Sequence, residues 1–241
     1  FETLGSDRLR YVSSGAAPLD PAWKRKAEAF YGLPLQNGYG MTETTAGVSG
    51  TRNAIGEPDT SVGPPLPGVE VRLDETVGKE PGVGEVLTRG PHVMKGYFDN
   101  PEATAQAITP DGFMRTGDLG RIDEAGRLHI VGRSKELIIR GGFNVYPGEV
   151  EAALNDHPEV VQSAVIGRKT GGDEEVLAFC VPIGPGAVDA ATLSAFVSDR
   201  LAGYKRPSRI LIVDALPAAA TGKILKHKLL STFADRLATS V

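Results

Sequence analysis

Lys135-Glu-Leu-Ile-Ile-Arg-Gly-Gly-Phe-Asn-Val-Tyr-Pro-Gly-Glu149 is the stretch on which the organisation of this chain turns. Its apolar run reads as a strand that stops at the paired glycines, and Pro147 then opens a helix, since proline's fixed φ suits the first helical position. A glycine pair at the end of a strand suits close backbone packing against a narrow ligand. The run Gly132-Arg-Ser-Lys135 just before it is polar, and this change of texture predicts a boundary that divides the chain into residues 1–134 and 135–241.

Downstream of that boundary, Val150, Ala153 and Leu154 fall on one helical face, and Leu193, Phe196, Val197 and Leu201 form a second stripe. Strands fit 160–166, 176–183 and 210–213. This α+β alternation covers about 100 residues, enough for an independent unit. Upstream, Asp20 is a good N-cap, Pro21 sits at the first helical position and Gly32 ends the turn, so a helix is expected over 21–31. A buried strand over 9–13 precedes it, giving a β–α unit that enters the next segment at Leu33. From 56 to 90 glycine and proline are dense, with short apolar runs at 69–71 and 85–88. That is the pattern of a small twisted, barrel-like β-subdomain without helical crossovers. The fold class expected is therefore α/β followed by α+β, with no internal repeat.

Composition narrows the function. The chain has 241 residues, 41% of them hydrophobic, with 26 basic and 30 acidic side chains interspersed to a net charge of −4. No basic field for nucleic acid or for an anionic membrane emerges from that distribution. No apolar stretch approaches the roughly 20 residues of a membrane-spanning helix, and the start has no signal-peptide pattern. The single Cys180 lies in the run Val-Leu-Ala-Phe-Cys-Val and reads as a small buried hydrophobe in a strand. A cytoplasmic, reducing setting is expected. His92, His129, His157 and His227 are scattered without ligand spacing, so no zinc site is expected. Phe1 is not a methionine, and the chain is expected to be a fragment.

Four motifs carry chemistry. Asn37-Gly-Tyr-Gly-Met-Thr-Glu43 brackets an aromatic ring with glycines and follows it with a hydroxyl and a carboxylate. Glycines admit a ligand to the backbone, a tyrosine ring can lie against a purine, and Thr with Glu can hold phosphate and Mg²⁺. A tight turn with a capping threonine is the plainer reading of the same residues. Thr116-Gly-Asp118 and Gly132-Arg133 supply a carboxylate and a guanidinium that can grip vicinal ribose hydroxyls from opposite sides, although solvated surface charge explains each triplet alone. The stretch 135–149 is the third. In the fourth, Leu216-Pro-Ala-Ala-Ala-Thr-Gly-Lys-Ile-Leu225, a lysine follows a small-residue loop and is expected to open a basic helix, where it can neutralise charge developing on phosphate oxygens. Seven basic residues against the single acid Asp214 between Arg200 and Lys228 fit an anion-facing side.

In this order the motifs resemble the adenylate-forming enzymes: acyl-CoA synthetases, peptide-synthetase adenylation domains and firefly luciferase. The resemblance spans essentially the whole chain. It implies the end of the large AMP-binding domain, followed by the small carboxyl-terminal lid domain, with the amino-terminal part of the same enzyme missing. It further implies that Ser14-Gly15-Ala16-Ala17-Pro18 lines the acyl and adenine pocket, and that Gly38-Tyr39-Gly40-Met41-Thr42-Glu43, with Asn37 before it, is the adenine and metal loop. Tyr39 would stack on adenine, Thr42 would touch phosphate and Glu43 would ligate Mg²⁺. Asp118 and Arg133 resemble the ribose-binding pair, and Lys135 stands at the hinge position. Lys223 would act on the carboxylate and α-phosphate, and Gly141 and Gly142 would line the pantetheine tunnel after rotation.

The implied activity is that of an acid–thiol ligase: acyl-adenylate formation from a carboxylic acid and ATP, then thioester formation with coenzyme A. The family's glycine-, serine- and threonine-rich phosphate loop is absent from these residues, so the fragment is expected to be inactive alone. Ala218 follows Pro217 where many relatives carry a basic residue. The Gly-Gly-Phe-Asn-Val-Tyr-Pro wording is similar to CoA ligases, with a ligase loading a carrier protein and a non-catalytic nucleotide- or CoA-binding module as the alternatives. The small residues Thr44, Thr45, Ala46 and Gly47 do not demand a charged substrate tail, which points to a fatty or aryl acid.

Overall fold

Asp20 accepts a hydrogen bond from the Trp23 backbone N–H at 2.8 Å and thereby starts helix α1, Pro21–Tyr31, which Gly32 ends in a left-handed conformation. In the computed structural model, which describes residues 3–4, 6–15, 19–77, 80–220 and 222–238, this helix belongs to the first of two compact units, Phe1–Lys135 and Glu136–Val241.

In the first unit α1 connects β1, Val12–Ser14, to the parallel β2, Leu35–Tyr39, and the short β3, Ser49–Gly50, pairs antiparallel with β2. The strand expected over 9–13 is both later and less buried than predicted. It begins at Val12, and Tyr11 is 67% exposed. Among the described residues β1 pairs with β2 alone, and its Val12 and Ser14 are half-buried while Ser13 is exposed.

Four antiparallel strands follow in sequence order: β4, Glu70–Asp74; β5, Gly84–Arg89; β6, Met114–Ile122; and β7, Leu128–Arg133. A short helix α2, Pro101–Ala107, is capped by Asn100. Val86, Leu87, Met114, Leu119 and Leu128 are buried in this sheet. Among the described residues the β4–β7 sheet is a meander. The segment before it joins its last strand, with the Val62 N–H donating to Leu128 O and the Leu128 N–H to Gly63 O, both at 2.9 Å.

The second unit begins with a hairpin of β8, Ile138–Arg140, and β9, Phe143–Val145. Helix α3, Pro147–Asn155, leads into β10, Val160–Thr170, and β11, Asp173–Pro182. Then come α4, Ala190–Ser198; β12, Arg209–Ile212; and the short α5, Leu229–Thr232, and α6, Ala234–Ala238. In the three-stranded sheet β10 is antiparallel and β12 parallel to the central β11.

Side chains alternate across a strand, and β11 shows why its sequence is an unbroken apolar run. Val176, Ala178 and Cys180 pack with Val150, Leu154, Leu193 and Val197 on the face covered by α3 and α4. Leu177 and Phe179 pack with Leu211, Leu216, Leu229 and Leu237 on the other. Leu201, expected on the α4 stripe, lies beyond the helix end at Ser198 but is buried in the same cluster.

Candidate active site

In the first unit the end of β2 presents Tyr39, β6 presents Asp118 and β7 presents Arg133. Asp118 and Arg133 are direct register partners on neighbouring strands. The Tyr39 hydroxyl donates to Asp118 Oδ2 at 2.6 Å, and Arg133 Nε donates to Asp118 Oδ1 at 3.2 Å. Asp118 is only 7% exposed. Burial first, and the Asp118 carboxylate second, push the Tyr39 phenol far above its ordinary range, so it remains a neutral donor. The carboxylate and guanidinium thus stand side by side and bonded to each other. Each carboxylate oxygen retains a second lone pair for a hydroxyl donor.

A bulge aims Asp118. Between the β5–β6 pairs Glu85↔Leu119 and Leu87↔Arg115, three residues of β6, Thr116-Gly117-Asp118, face one of β5. Thr116 Oγ1 donates to Val86 O at 2.8 Å and accepts from the Asp118 N–H at 3.1 Å. The buried Glu85 accepts from the Gly117 N–H at 3.0 Å and from Arg115 at 2.9 Å. Glu85 holds the bulge, and nothing in the sequence singled it out, because its partners lie about thirty residues away.

The stretch 37–43 is not all loop: Asn37, Gly38 and Tyr39 belong to β2, and the chain turns only at Gly40. A Cβ on Gly40 would stand 2.2 Å from Ala46 O, so only glycine permits this approach. Thr44 is fully buried, with its hydroxyl accepting from the Met41 N–H at 3.0 Å. Thr42 is exposed. Glu43 is half-buried and accepts from the Tyr97 hydroxyl at 3.0 Å, and its carbonyl accepts from the Met94 N–H at 2.8 Å. Asn37 donates through Nδ2 to Ser61 O at 2.9 Å, while its buried Oδ1 has no protein partner. Gly15 approaches Gly38, its added Cβ lying 3.7 Å from Gly38 O; Ala16, Ala17 and Pro18 lie outside the described residues. Lys135 is exposed in the 3₁₀ turn Ser134–Glu136 and is the last residue of this unit.

In the second unit Gly141 and Gly142 form the two-residue turn between paired Arg140 and Phe143. Their φ values of 58° and 82° are those of a type I′ hairpin turn. The Gly141 N–H donates to Asp173 at 2.8 Å, and Phe143 stacks on Tyr204 at 4.8 Å. Lys223 does not open a helix as expected. It is exposed in a narrow β-like loop bridged at Ala218↔Ile224, where the Ala219 N–H donates to Lys223 O at 2.9 Å and the Leu225 N–H to Pro217 O at 2.8 Å. The left-handed Gly222 turns this loop, and helical geometry starts only at Lys226; Thr221 lies outside the described residues.

Among the described residues no group of three or more His, Cys, Asp or Glu could hold a metal ion, and no helix is long and apolar enough to cross a membrane.

The family model for AMP-binding enzymes matches residues 2–98, and the model for the AMP-binding enzyme C-terminal domain matches residues 149–223. The chain belongs to the adenylate-forming, AMP-binding enzyme family. A feruloyl-CoA synthase of Amycolatopsis sp is 40% identical over 230 residues, covering 93% of this chain and 46% of that protein. A 2-succinylbenzoate–CoA ligase of Geobacillus kaustophilus is 41% identical, covering 92% and 45%. The ATP-bound crystal structure of MatB from Rhodopseudomonas palustris aligns with a TM-score of 0.82 at 40% identity over 94% of this chain and 46% of that one. The o-succinylbenzoate CoA synthetase of Bacillus subtilis with ATP and magnesium aligns with a TM-score of 0.84 at 32% identity, over 95% and 48%. The adenylate-forming chain described here therefore spans about half the length of the relatives it matches.

Proposed function

We propose that the protein acts as an ATP-dependent carboxylate:CoA ligase. The observation that supports it most directly is the Tyr39–Asp118–Arg133 constellation, a buried carboxylate fixed by a phenol and a guanidinium beside a glycine turn. Asp118 would accept the ribose hydroxyls, Arg133 would add a donor, and the Tyr39 ring, anchored by its own hydroxyl, would face the adenine. The orphaned Asn37 Oδ1 is an acceptor suited to the adenine amino group.

In the first half-reaction a carboxylate oxygen of the acid attacks the α-phosphorus and pyrophosphate leaves. In the second the CoA thiolate attacks the acyl carbonyl and AMP leaves. Lys223 would place its ammonium against the negative charge of the first step, with Thr42 on phosphate. One carboxylate oriented by Tyr97 fits Mg²⁺, which takes one or two carboxylates along with the nucleotide's phosphates, so Glu43 would hold that ion while it neutralises phosphate charge. Lys135 would serve as the hinge, and the Gly141–Gly142 turn would border the pantetheine arm. The substrate proposed is a fatty or aryl acid and the compartment the cytoplasm.

The test is the whole protein from its complete reading frame, assayed for pyrophosphate and AMP release across aliphatic and aryl acids with and without CoA. Lys223→Ala should lower acyl-adenylate formation by about 100-fold or more, as loss of one transition-state contact does. Adenylate formed without transfer to CoA would shift the acceptor to a carrier protein. Pyrophosphate release with none of the acids would overturn the reading.

A further inference from the structure

Lys226 stands apart from its basic neighbours. Lys223, His227 and Lys228 are exposed, whereas Lys226 is half-buried and its ammonium meets two carboxylates, Glu136 Oε2 at 3.0 Å and Glu151 Oε1 at 2.8 Å. Burial works against its charge, but the two carboxylates outweigh that and hold the ammonium above the ordinary lysine range. Glu151 is itself fixed, since its Oε1 accepts from the Val165 N–H of β10 at 2.7 Å and its carbonyl from the Ser163 hydroxyl at 3.2 Å.

The geography gives this cluster a use. Lys226 follows directly on the base of the Lys223 loop, where the Leu225 N–H donates to Pro217 O. Glu136 is the first residue of the second unit, next in the chain to Lys135. One ammonium therefore ties together the loop that carries Lys223, helix α3 and the start of the unit. Among its described residues that loop is held by the backbone bonds from Ala219 to Lys223, Gly222 to Ala219 and Leu225 to Pro217.

We infer that Lys226 is a positioning residue, which locks the Lys223 loop to Glu136 and Glu151 so that the lysine ammonium and the residue after the hinge move as one body. Removing the ammonium would leave two carboxylates facing each other, driving Glu136 away from Glu151 and freeing the base of the loop. Arginine in its place can still bridge both carboxylates, because its guanidinium offers donors on two sides.

The inference rests on the ligase reading for its kinetic consequence but not for its structural one. In the whole protein, Lys226→Met is expected to lower the rate constant of acyl-adenylate formation about tenfold with the KM values for ATP and acid unchanged, as a misplaced group does. CoA transfer from supplied acyl-adenylate should change less than about twofold, and Lys226→Arg should restore adenylation to within about threefold of wild type. Hydrogen exchange at 217–225 should quicken several-fold in Lys226→Met and not in Lys226→Arg.

Unchanged exchange in that loop, or equal loss in both half-reactions, overturns the inference. If Lys226→Met fails to fold, Glu136→Gln is the second variant: the milder loss of one carboxylate should quicken the same amides, and no change there refutes the tie. Should the wild-type protein adenylate no acid, the ligase reading falls, while the exchange result still decides the role of Lys226.

Discussion

Replacing Glu28 should damage the first unit more than any surface change, and the structure gives the size of the effect. Glu28 is 4% exposed and pairs at 2.9 Å with Lys24, itself 2% exposed. Its Oε1 also accepts from the Leu35 N–H, at the start of β2, and its Oε2 from the Gly56 N–H, each at 3.1 Å. The Lys24 ammonium additionally donates to Glu57 O. One carboxylate thus joins α1, the strand that carries Asn37 and Tyr39, and the 55–57 turn. Breaking a buried ion pair by removing one partner costs about 3–5 kcal/mol, and the orphaned buried Leu35 N–H about 1–3 kcal/mol. These terms overlap, so Glu28→Ala is expected to lose about 4–6 kcal/mol.

Glu28→Gln keeps an acceptor but leaves the ammonium unpaired, and should lose about 3 kcal/mol. Adding Lys24→Met to Glu28→Gln should then recover at least about 1 kcal/mol, because no buried charge remains to be compensated. Urea unfolding followed by the fluorescence of Trp23, the only tryptophan in the chain, reads the change where it occurs, on α1. A Glu28→Ala protein within about 1 kcal/mol of wild type, or a double variant as unstable as the sum of its singles, would refute the reasoning.

The same pair sets a pH dependence. Burial pushes the Glu28 carboxyl upward, but the Lys24 ammonium and the N–H groups of Gly56 and Leu35 outweigh it and hold the group below the ordinary glutamate range. A carboxyl depressed in the folded state contributes stability that is present above its unfolded pKa and lost as pH falls through the folded one. Acid sensitivity below about pH 4 should therefore be weaker in Glu28→Gln than in wild type.

Gly40→Ala would set a Cβ 2.2 Å from Ala46 O and force the 40–46 turn open. Overpacking of that kind costs about 1–3 kcal/mol, and calorimetric nucleotide binding in the whole protein should weaken by tenfold or more; unchanged affinity would count against the turn's proposed role. Cys180 is fully buried on β11, and burial pushes its thiol up to about 12. It should resist a disulfide reagent at pH 8 until the second unit unfolds, whereas labelling of the native protein within minutes would show that the sheet opens locally.

Several elements were legible from the residues alone because their causes are local. Asp20, Pro21 and Gly32 bound α1 through contacts no more than four residues apart, and the apolar run 176–181 announces a strand covered on both faces. The glycine pair at 141–142 marks where the strand stops, and glycine permits the positive φ that both positions adopt. Membership of the adenylate-forming family was likewise written in the order of the motifs.

What the tertiary structure alone decided is how charged residues pair. Asp118 and Arg133 meet as register partners, Glu85 pins the bulge that aims Asp118, and Lys226 gathers Glu136 and Glu151. The same holds for Lys223, which the pattern of small and basic residues assigned to a helix start and the Ala218–Ile224 bridge holds in a loop. Periodicity and capping act within a turn or two of chain. A carboxylate's partner is chosen by which strands come to lie side by side, and that is settled only when distant segments bury their apolar faces together.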